Sequence, residues 1–368
     1  MKMKFESRTS RESLEKSIAR IASAYGFTSP AVSVSKRSVQ DQSDTLDYDT
    51  RVTAAFLNTV GPQKKTVQAW GAAKKGGATT FTFTVLASRH AISHALVIKA
   101  AVSVLERAGF SDIVVGVSSV GDVESKRRFV RELQSYFRKH GALIDPAVLK
   151  HSHTDPEGAY RDILVTGGEA AEKLPRPIDF LSENSRKTMV DTLHLFESVG
   201  IEYELQAHLP SAKGVHAELL FAISARDQKG AQSIAATGGR IDDLMKKSGP
   251  TIGHSVALSV TIPESVEVSE STSGLSCFVV HVGEAAKLKS FSMIDALWRA
   301  DIAVRQALLS ESLKEQMDSA KAVGAKYVAI VGQREALDGT VLLRNFESGL
   351  QQSLVRDKLA SFLNAKSR

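Results

Sequence analysis

Gly238-Gly239-Arg240-Ile241-Asp242-Asp243-Leu244 lies between a strand-like run, Ser233–Ala236, and a short helical segment. Two adjacent glycines have no Cβ atoms, so backbone there can approach a ligand closely. Arg240 follows with a planar fork that fits a carboxylate or a phosphate. The same residues also carry a structural reading, in which Asp242 or Asp243 pairs with Arg240 and caps the helix that follows. The rest of the chain has to weigh one against the other.

On either side of this stretch, Ala217–Ser224 and His254–Ile262 alternate apolar and polar residues, which predicts neighbouring antiparallel strands. Upstream, Thr9-Ser10-Arg11-Glu12 forms a capping box. It opens an amphipathic helix with Leu14, Ile18, Ile21 and Tyr25 on one face, ended by Tyr25-Gly26-Phe27. Ser33–Asp49 and Thr66–Thr80 keep no apolar period and read as loops, with Lys74-Lys75-Gly76-Gly77 at a hairpin tip. Phe81–Val85 reads as a strand, Ile92–Arg107 as a helix, Asp112–Ser119 as a strand, and Arg127–Lys139 as part of a charged helix. On that helix Val130, Leu133 and Phe137 face inward, and Arg127, Arg128, Arg131 and Lys139 outward. Pro146 and Pro156 bound a stretch read as irregular, and a helix, glycine stop and strand follow over Leu181–Leu205.

A polar linker, Pro263–Gly274, separates this α+β part from a different pattern. Strand Phe278–Val282, a helix through Leu297, helix Leu313–Val323, strand Tyr327–Val331, strand Thr340–Arg344 and helix Val355–Leu363 predict a small α/β unit with a mostly parallel sheet. The expected division is 1–265 and 275–368.

Composition narrows the function classes. The 368 residues are 43% hydrophobic, enough for a large core, with no apolar run long enough to span a bilayer. Met1–Ser7 is basic, but neither an apolar run nor a small-residue cleavage site follows it, so a cytoplasmic protein without a membrane role is expected. One cysteine, Cys277, rules out an internal disulfide and a cysteine-based metal site. A net charge of +6 is compatible with a nucleic-acid partner, but the excess is spread along the chain.

Several stretches together resemble the histidyl-tRNA synthetase family. Gly238–Leu244 resembles its Gly-Gly-Arg-Tyr-Asp-x-Leu signature, and Val117–Asp122 with the following helix resembles its Asn-Ser-x-Gly strand and helix. Tyr25-Gly26-Phe27 and Pro175–Glu204 resemble further segments of the core. Leu313–Met317, Gly324–Gly332 and Gly339–Arg344 resemble the family's anticodon-binding domain. The resemblance implies an α+β class II aminoacyl-tRNA synthetase-like core with an antiparallel sheet, plus a C-terminal α/β anticodon-binding-like domain, in a homodimer.

It also shows what is missing. Amino-acid activation builds negative charge on phosphates, so it needs fixed cations, with magnesium held by carboxylates. Where the family carries Leu-Val-Arg-Gly-Leu-Asp-Tyr-Tyr, this chain reads Leu209-Pro210-Ser211-Ala212-Lys213-Gly214-Val215-His216. Ser211 stands for the arginine, and Lys213 lacks its bidentate fork. In the stretch Pro250–Val260, which keeps Gly253, Val260 takes the place of the ATP-binding arginine. Around Thr79–Leu96 no Arg-x-Glu occurs; His94 falls where the family has a glutamate, and Arg89 is the arginine nearby.

No catalytic residue is therefore expected. Gly238, Gly239, Arg240 and Gly253 remain as walls of a degenerate ligand pocket. Lys314, Lys321, Lys326, Arg334 and Arg344 are the candidates for RNA contact. His90 and His94, four apart on one predicted helix, lack a third ligand, and His151, His153 and Asp155 share an exposed loop, so no metal is expected. The resemblance implies a paralogue that no longer aminoacylates, needs no cofactor, and binds tRNA or a regulatory protein partner. The alternative is a divergent, active histidine–tRNA ligase using ATP and magnesium, with Arg89, Lys213 and Arg240 as its cations.

Overall fold

The computed structural model describes residues 6–28, 51, 53–55, 65–88, 90–209, 215–248, 254–263, 266 and 276–367. Seven strands form the first sheet: β1 (Val67–Lys75), β2 (Ala78–Ser88), β3 (Ser111–Gly121), β4 (Tyr203–Leu205), β5 (Ala217–Arg226), β6 (Gln232–Arg240) and β7 (His254–Pro263). Their order is β1-β2-β7-β6-β5-β3-β4, antiparallel throughout except for β3 beside β4. Gly76 and Gly77, with φ of +57° and +79°, make the two-residue turn between β1 and β2. The reading of Thr66–Thr80 as a loop is thereby corrected. Its inward positions are Ala69, Gly71 and Ala73, too small to leave a hydropathy signal.

Helix α1 (Glu6–Ala24) and helix α2 (Ile92–Arg107) lie on one side of this sheet. In α2, 13 of 16 residues are buried, so it is wrapped on every side rather than laid on a surface. Next come α3 (Val123–His140), α4 (Pro146–His151), α5 (Pro156–Thr166), α6 (Gly168–Glu172) and α7 (Glu183–Ser198). Phe129, Leu133, Tyr136 and Phe137 of α3 share a satellite core with Tyr160 and Ile163 of α5. Pro146 and Pro156 open α4 and α5 instead of bounding an irregular stretch; proline fits the first helical turn, where an N–H has no partner. Ser33–Asp49 and most of the Pro263–Gly274 linker lie outside the described residues.

After α8 (Asp242–Ser248) the second sheet begins. Its elements are β8 (Ser276–His281), α9 (Glu284–Arg299), β9 (Ala303–Gln306), α10 (Leu313–Ala322), β10 (Tyr327–Val331), α11 (Gln333–Asp338), β11 (Thr340–Asn345), β12 (Gln351–Val355) and α12 (Leu359–Ser367). The strand order is β12-β11-β10-β8-β9. β9, β8 and β10 are parallel and β11 and β12 antiparallel, so the sheet is mixed. β9 and β12 are short and polar, and periodicity misses both.

One continuous cluster of buried side chains joins the two sheets. It contains Ile18 and Ile21 of α1, Leu96 of α2, Phe291 and Leu297 of α9, and Val304 of β9. α1 lies against β9, the edge strand of the second sheet. Gly26, at φ +83°, comes so close that a Cβ there would stand 2.5 Å from Gln306 Nε2. A polar network sits inside this contact. Tyr25 Oη donates to Asp295 Oδ1 at 3.1 Å, and Lys99 Nζ lies 3.2 Å from Asp295 Oδ2. Arg299 joins Asp295 at 3.2 Å and Glu106 at 2.8 Å.

Asp295→Ala leaves the buried Lys99 ammonium without its carboxylate. Removing one partner of a buried pair costs about 3–5 kcal/mol, and the low end is expected because Asp295 keeps some solvent contact. Urea unfolding of the variant should show that loss in one transition. A loss below about 1 kcal/mol, the range of a surface pair, would remove Asp295 from this role.

Candidate functional site

The Gly-Gly-Arg stretch does not lie between a strand and a helix; it is the end of β6. Gly238 pairs with Leu258, Gly239 with Ala257 and Arg240 with Val256 on β7. A Cβ on Gly238 would stand 2.2 Å from the Ala257 carbonyl oxygen, and one on Gly239 2.4 Å from that of Leu219. In the structure, therefore, neighbouring strand backbone fills the space next to both glycines.

Directly opposed residues share a face of the sheet. Arg240 and Val256 are on the side covered by α2, together with His254, Leu258 and Val260. Arg240 Nε donates to Asp242 Oδ2 at 3.0 Å and its Nη2 bonds the same oxygen, while Asp242 Oδ1 accepts from the Ser255 N–H at 2.8 Å. Asp243 instead receives Lys126 Nζ at 2.6 Å, which also reaches the His216 carbonyl at 2.6 Å. Ser255 and Lys126 thus anchor the start of α8.

Besides Asp242, buried or half-buried titratable side chains surround Arg240. His94 and His254 stack at 5.4 Å between ring centroids, 16° from parallel. His94 Nδ1 lies 2.9 Å from the Ala91 carbonyl, and Nε2 of both rings has no hydrogen-bond partner. Burial first, then the neighbouring His254, pushes the His94 imidazole down to about 3. Burial and the Arg240 charge lower His254 as well. Glu218 sits in a β-bulge at φ +54°, a region rare for side-chain-bearing residues, and burial raises its carboxyl. Sequence reasoning missed Glu218 because its signal is a backbone irregularity.

The opposite face of the sheet carries hydroxyls. Thr80 meets Thr261 at 2.7 Å, Thr82 meets Ser259 at 2.7 Å, and Thr53 lies over Ser259 at 3.1 Å. These groups satisfy one another, and Thr53, Ala54 and Ala55 are all buried. Val260, on the α2 side, is fully buried in the apolar core. Gly253, Arg89, Ser211 and Lys213 lie outside the described residues.

His90 and His94 do not share a helix: His90 precedes α2, whereas His94 is inside it. His90 instead meets Glu284 and Glu311, with one donor atom of each within 4.8 Å of the others. Lys287, 1% exposed, already bonds both carboxylates, with Glu284 Oε1 at 2.7 Å. Its ammonium supplies the positive charge that the carboxylates require and opposes a divalent ion there. A cleft of about 510 Å³, lined by His90, His194, Asp191 and Lys287 among others, opens beside it. His151 pairs with Asp162 at 3.0 Å. Cys277 is buried and its thiol pushed up to about 12, which leaves it unreactive.

In the second sheet, Lys326 and Arg344 lie one step to either side of the Tyr327–Asn345 pair: Arg344 is opposite Val328, and the Phe346 N–H donates to the Lys326 carbonyl at 3.0 Å. Lys326 lies over the Tyr327 ring, and Arg344 Nε is buried without a hydrogen-bond partner. Lys314 and Lys321, seven apart, share one exposed stripe of α10. Gln316 fixes that helix by two hydrogen bonds to the His281 backbone, at 2.9 and 3.0 Å. Arg334 is at the other end of β10, highly exposed and 3.4 Å from Asp338.

These features define a class II aminoacyl-tRNA synthetase-like core joined to a mixed α/β C-terminal domain. Residues 276–366 match the model of the anticodon binding domain family. Over most of its length the chain is similar to histidine–tRNA ligases. It is 28% identical over 295 residues to the histidine–tRNA ligase of Geobacillus kaustophilus, covering 78% of this chain and 69% of that one. It is likewise 28% identical over 290 residues to that of Fervidobacterium nodosum, covering 76% and 68%. The fold is similar to the crystal structure of apo Staphylococcus aureus histidyl-tRNA synthetase, with a TM-score of 0.55, 17% identity, and coverage of 99% and 97%.

Two outcomes test this geometry. Gly238→Ala forces a methyl group against strand backbone, and overpacking of this kind costs about 1–3 kcal/mol; an unchanged melting temperature would show that the strands have room. The His94 imidazole has a folded pKa far below the ordinary value of about 6.5. The unfolded chain then binds the extra proton, so stability falls as pH drops from about 6.5 toward about 3, at up to about 1.4 kcal/mol per pH unit. In His94→Phe this part of the slope should vanish from urea titrations, and an unchanged slope would mean that His94 is not held neutral.

Proposed function

We propose that this chain is a histidyl-tRNA-synthetase-like paralogue that does not aminoacylate and acts by binding. Val260 carries the reading: where the resemblance calls for a phosphate-binding arginine, an isopropyl group is sealed in the core. Arg240 supports it, because its fork is already engaged by Asp242. A fixed cation without such a partner is what transfer of an adenylyl group requires. On this reading no ATP, magnesium or other cofactor is used.

The binding partner is tRNA, held by the C-terminal domain through Lys314, Lys321, Lys326, Arg334 and Arg344, with a regulatory protein as the second candidate. The match of residues 276–366 to the anticodon binding domain favours RNA. The active unit on this reading is a homodimer.

Histidine-dependent pyrophosphate exchange with ATP and magnesium tests the inactive core. The expected result is no exchange above the protein-free background. Turnover at an ordinary catalytic rate, on the order of 1 per second or more, would establish the divergent ligase instead and require cations outside those described.

A further inference from the structure

Helix α3 buries one face and displays another. Phe129, Leu133, Tyr136 and Phe137 close the satellite core, while Arg127, Arg128, Arg131, Arg138 and Lys139 are exposed. At 3.6 residues per turn, Arg127, Arg131 and Arg138 fall within a stripe about 40° wide and about 16 Å long. Arg128 is paired with Glu124, four residues away. Arg127, Arg131, Arg138 and Lys139 have no ion pair among the described residues; Arg131 Nε reaches only the Arg127 carbonyl, at 3.4 Å. Some other exposed helical cations are offset locally, as in Lys173–Glu169, Lys187–Asp191 and Arg334–Asp338, whereas Lys314 and Lys321 of α10, like the α3 stripe, have no ion pair among the described residues.

Helix stability does not account for the stripe. Like charges four residues apart, such as Arg127 and Arg131, destabilise a helix by a few tenths of a kcal/mol. Only Arg138 and Lys139, in the last turn, gain from the helix dipole. The guanidinium fork is suited to phosphate oxygens, and the stripe is long enough to span several successive phosphates of one strand. A membrane surface is disfavoured because the apolar face that would enter it is already buried in the satellite core.

We propose that the outer face of α3, centred on Arg127, Arg131 and Arg138, binds the phosphodiester backbone of RNA as a second contact surface apart from the C-terminal domain. The choice of RNA over an acidic protein rests on the RNA-binding reading of the C-terminal domain given above. The contact is electrostatic and blind to base sequence, because it reaches phosphates alone.

The test uses the full chain and unfractionated tRNA, with affinity measured as a function of salt. Two variants are compared with wild type: Arg127→Glu/Arg131→Glu/Arg138→Glu, and Lys314→Glu/Lys326→Glu. Each lost phosphate contact lowers the slope of log affinity against log salt by about 0.7–0.9. The α3 variant should therefore lose about 2–3 in slope and at least about tenfold in affinity at 100 mM salt. Arg→Lys at the same three positions should keep most of the slope, which separates charge from misfolding. If only the C-terminal variant weakens binding, the α3 proposal fails and the C-terminal reading stands. If only the α3 variant does, the surface stands and the C-terminal assignment fails. Absence of tRNA binding by wild type, or binding to anionic vesicles in its place, overturns both.

Discussion

The carboxylate of Asp295 holds the two halves of the molecule in one arrangement. It accepts from Tyr25 at the end of α1, faces Lys99 on α2, and is flanked on its own helix by Arg299. Burying a charge is unfavourable unless it is paired and hydrogen-bonded, so these four groups are tolerated only while α1, α2 and α9 stay in register. The apolar cluster around them, from Ile18 through Leu96 to Val304, supplies the attraction. The polar network restricts which attraction is accepted. The C-terminal sheet is therefore presented at a fixed orientation to the core, not tethered to it by residues 264–275 alone.

Within that frame, the part of the first sheet around Arg240, where β6 pairs with β7, bears on phosphate chemistry. A nucleotide-handling site needs cations with unspent hydrogen-bonding capacity in a position that solvent and ligand can reach. On one face the positions carry paired threonine and serine hydroxyls; on the other, Val260, Leu258 and stacked neutral imidazoles fill the space. Arg240 is the guanidinium described there, and Asp242 neutralises it. The scaffold has the strand order of a class II-like sheet, and the side chains described at this place pack and pair with one another.

Much of this was legible in the sequence, and the exceptions have physical causes. The alternation in Phe81–Val85 and His254–Ile262, and the 3.6-residue period of Leu14, Ile18 and Ile21, placed β2, β7 and α1 directly. β1 was lost because small residues can be buried without being hydrophobic enough to mark a period. β9 and β12 were lost because edge strands of four and five residues are too short for one. At the site, the Arg240–Asp242 pair was one of two readings a local sequence allowed. The stacking of His94 on His254, 160 residues away, and the meeting of His90 with Glu311 could not be read from spacing, because tertiary contacts made them.

The seat of α1 on β9 has a consequence for how the chain is made. α1 leaves the ribosome well before Ala303–Gln306, the strand it lies against, which emerges nearly 280 residues later. Until then the helix's apolar face has only part of its partner surface, and contacts so distant in sequence form late in folding. Once it closes, α1 also packs on the inward residues Val304 and Gln306 of the sheet's edge strand, and so braces an edge that would otherwise invite pairing with another chain. Helix α1 is thus a brace set late, by the strand that completes its seat.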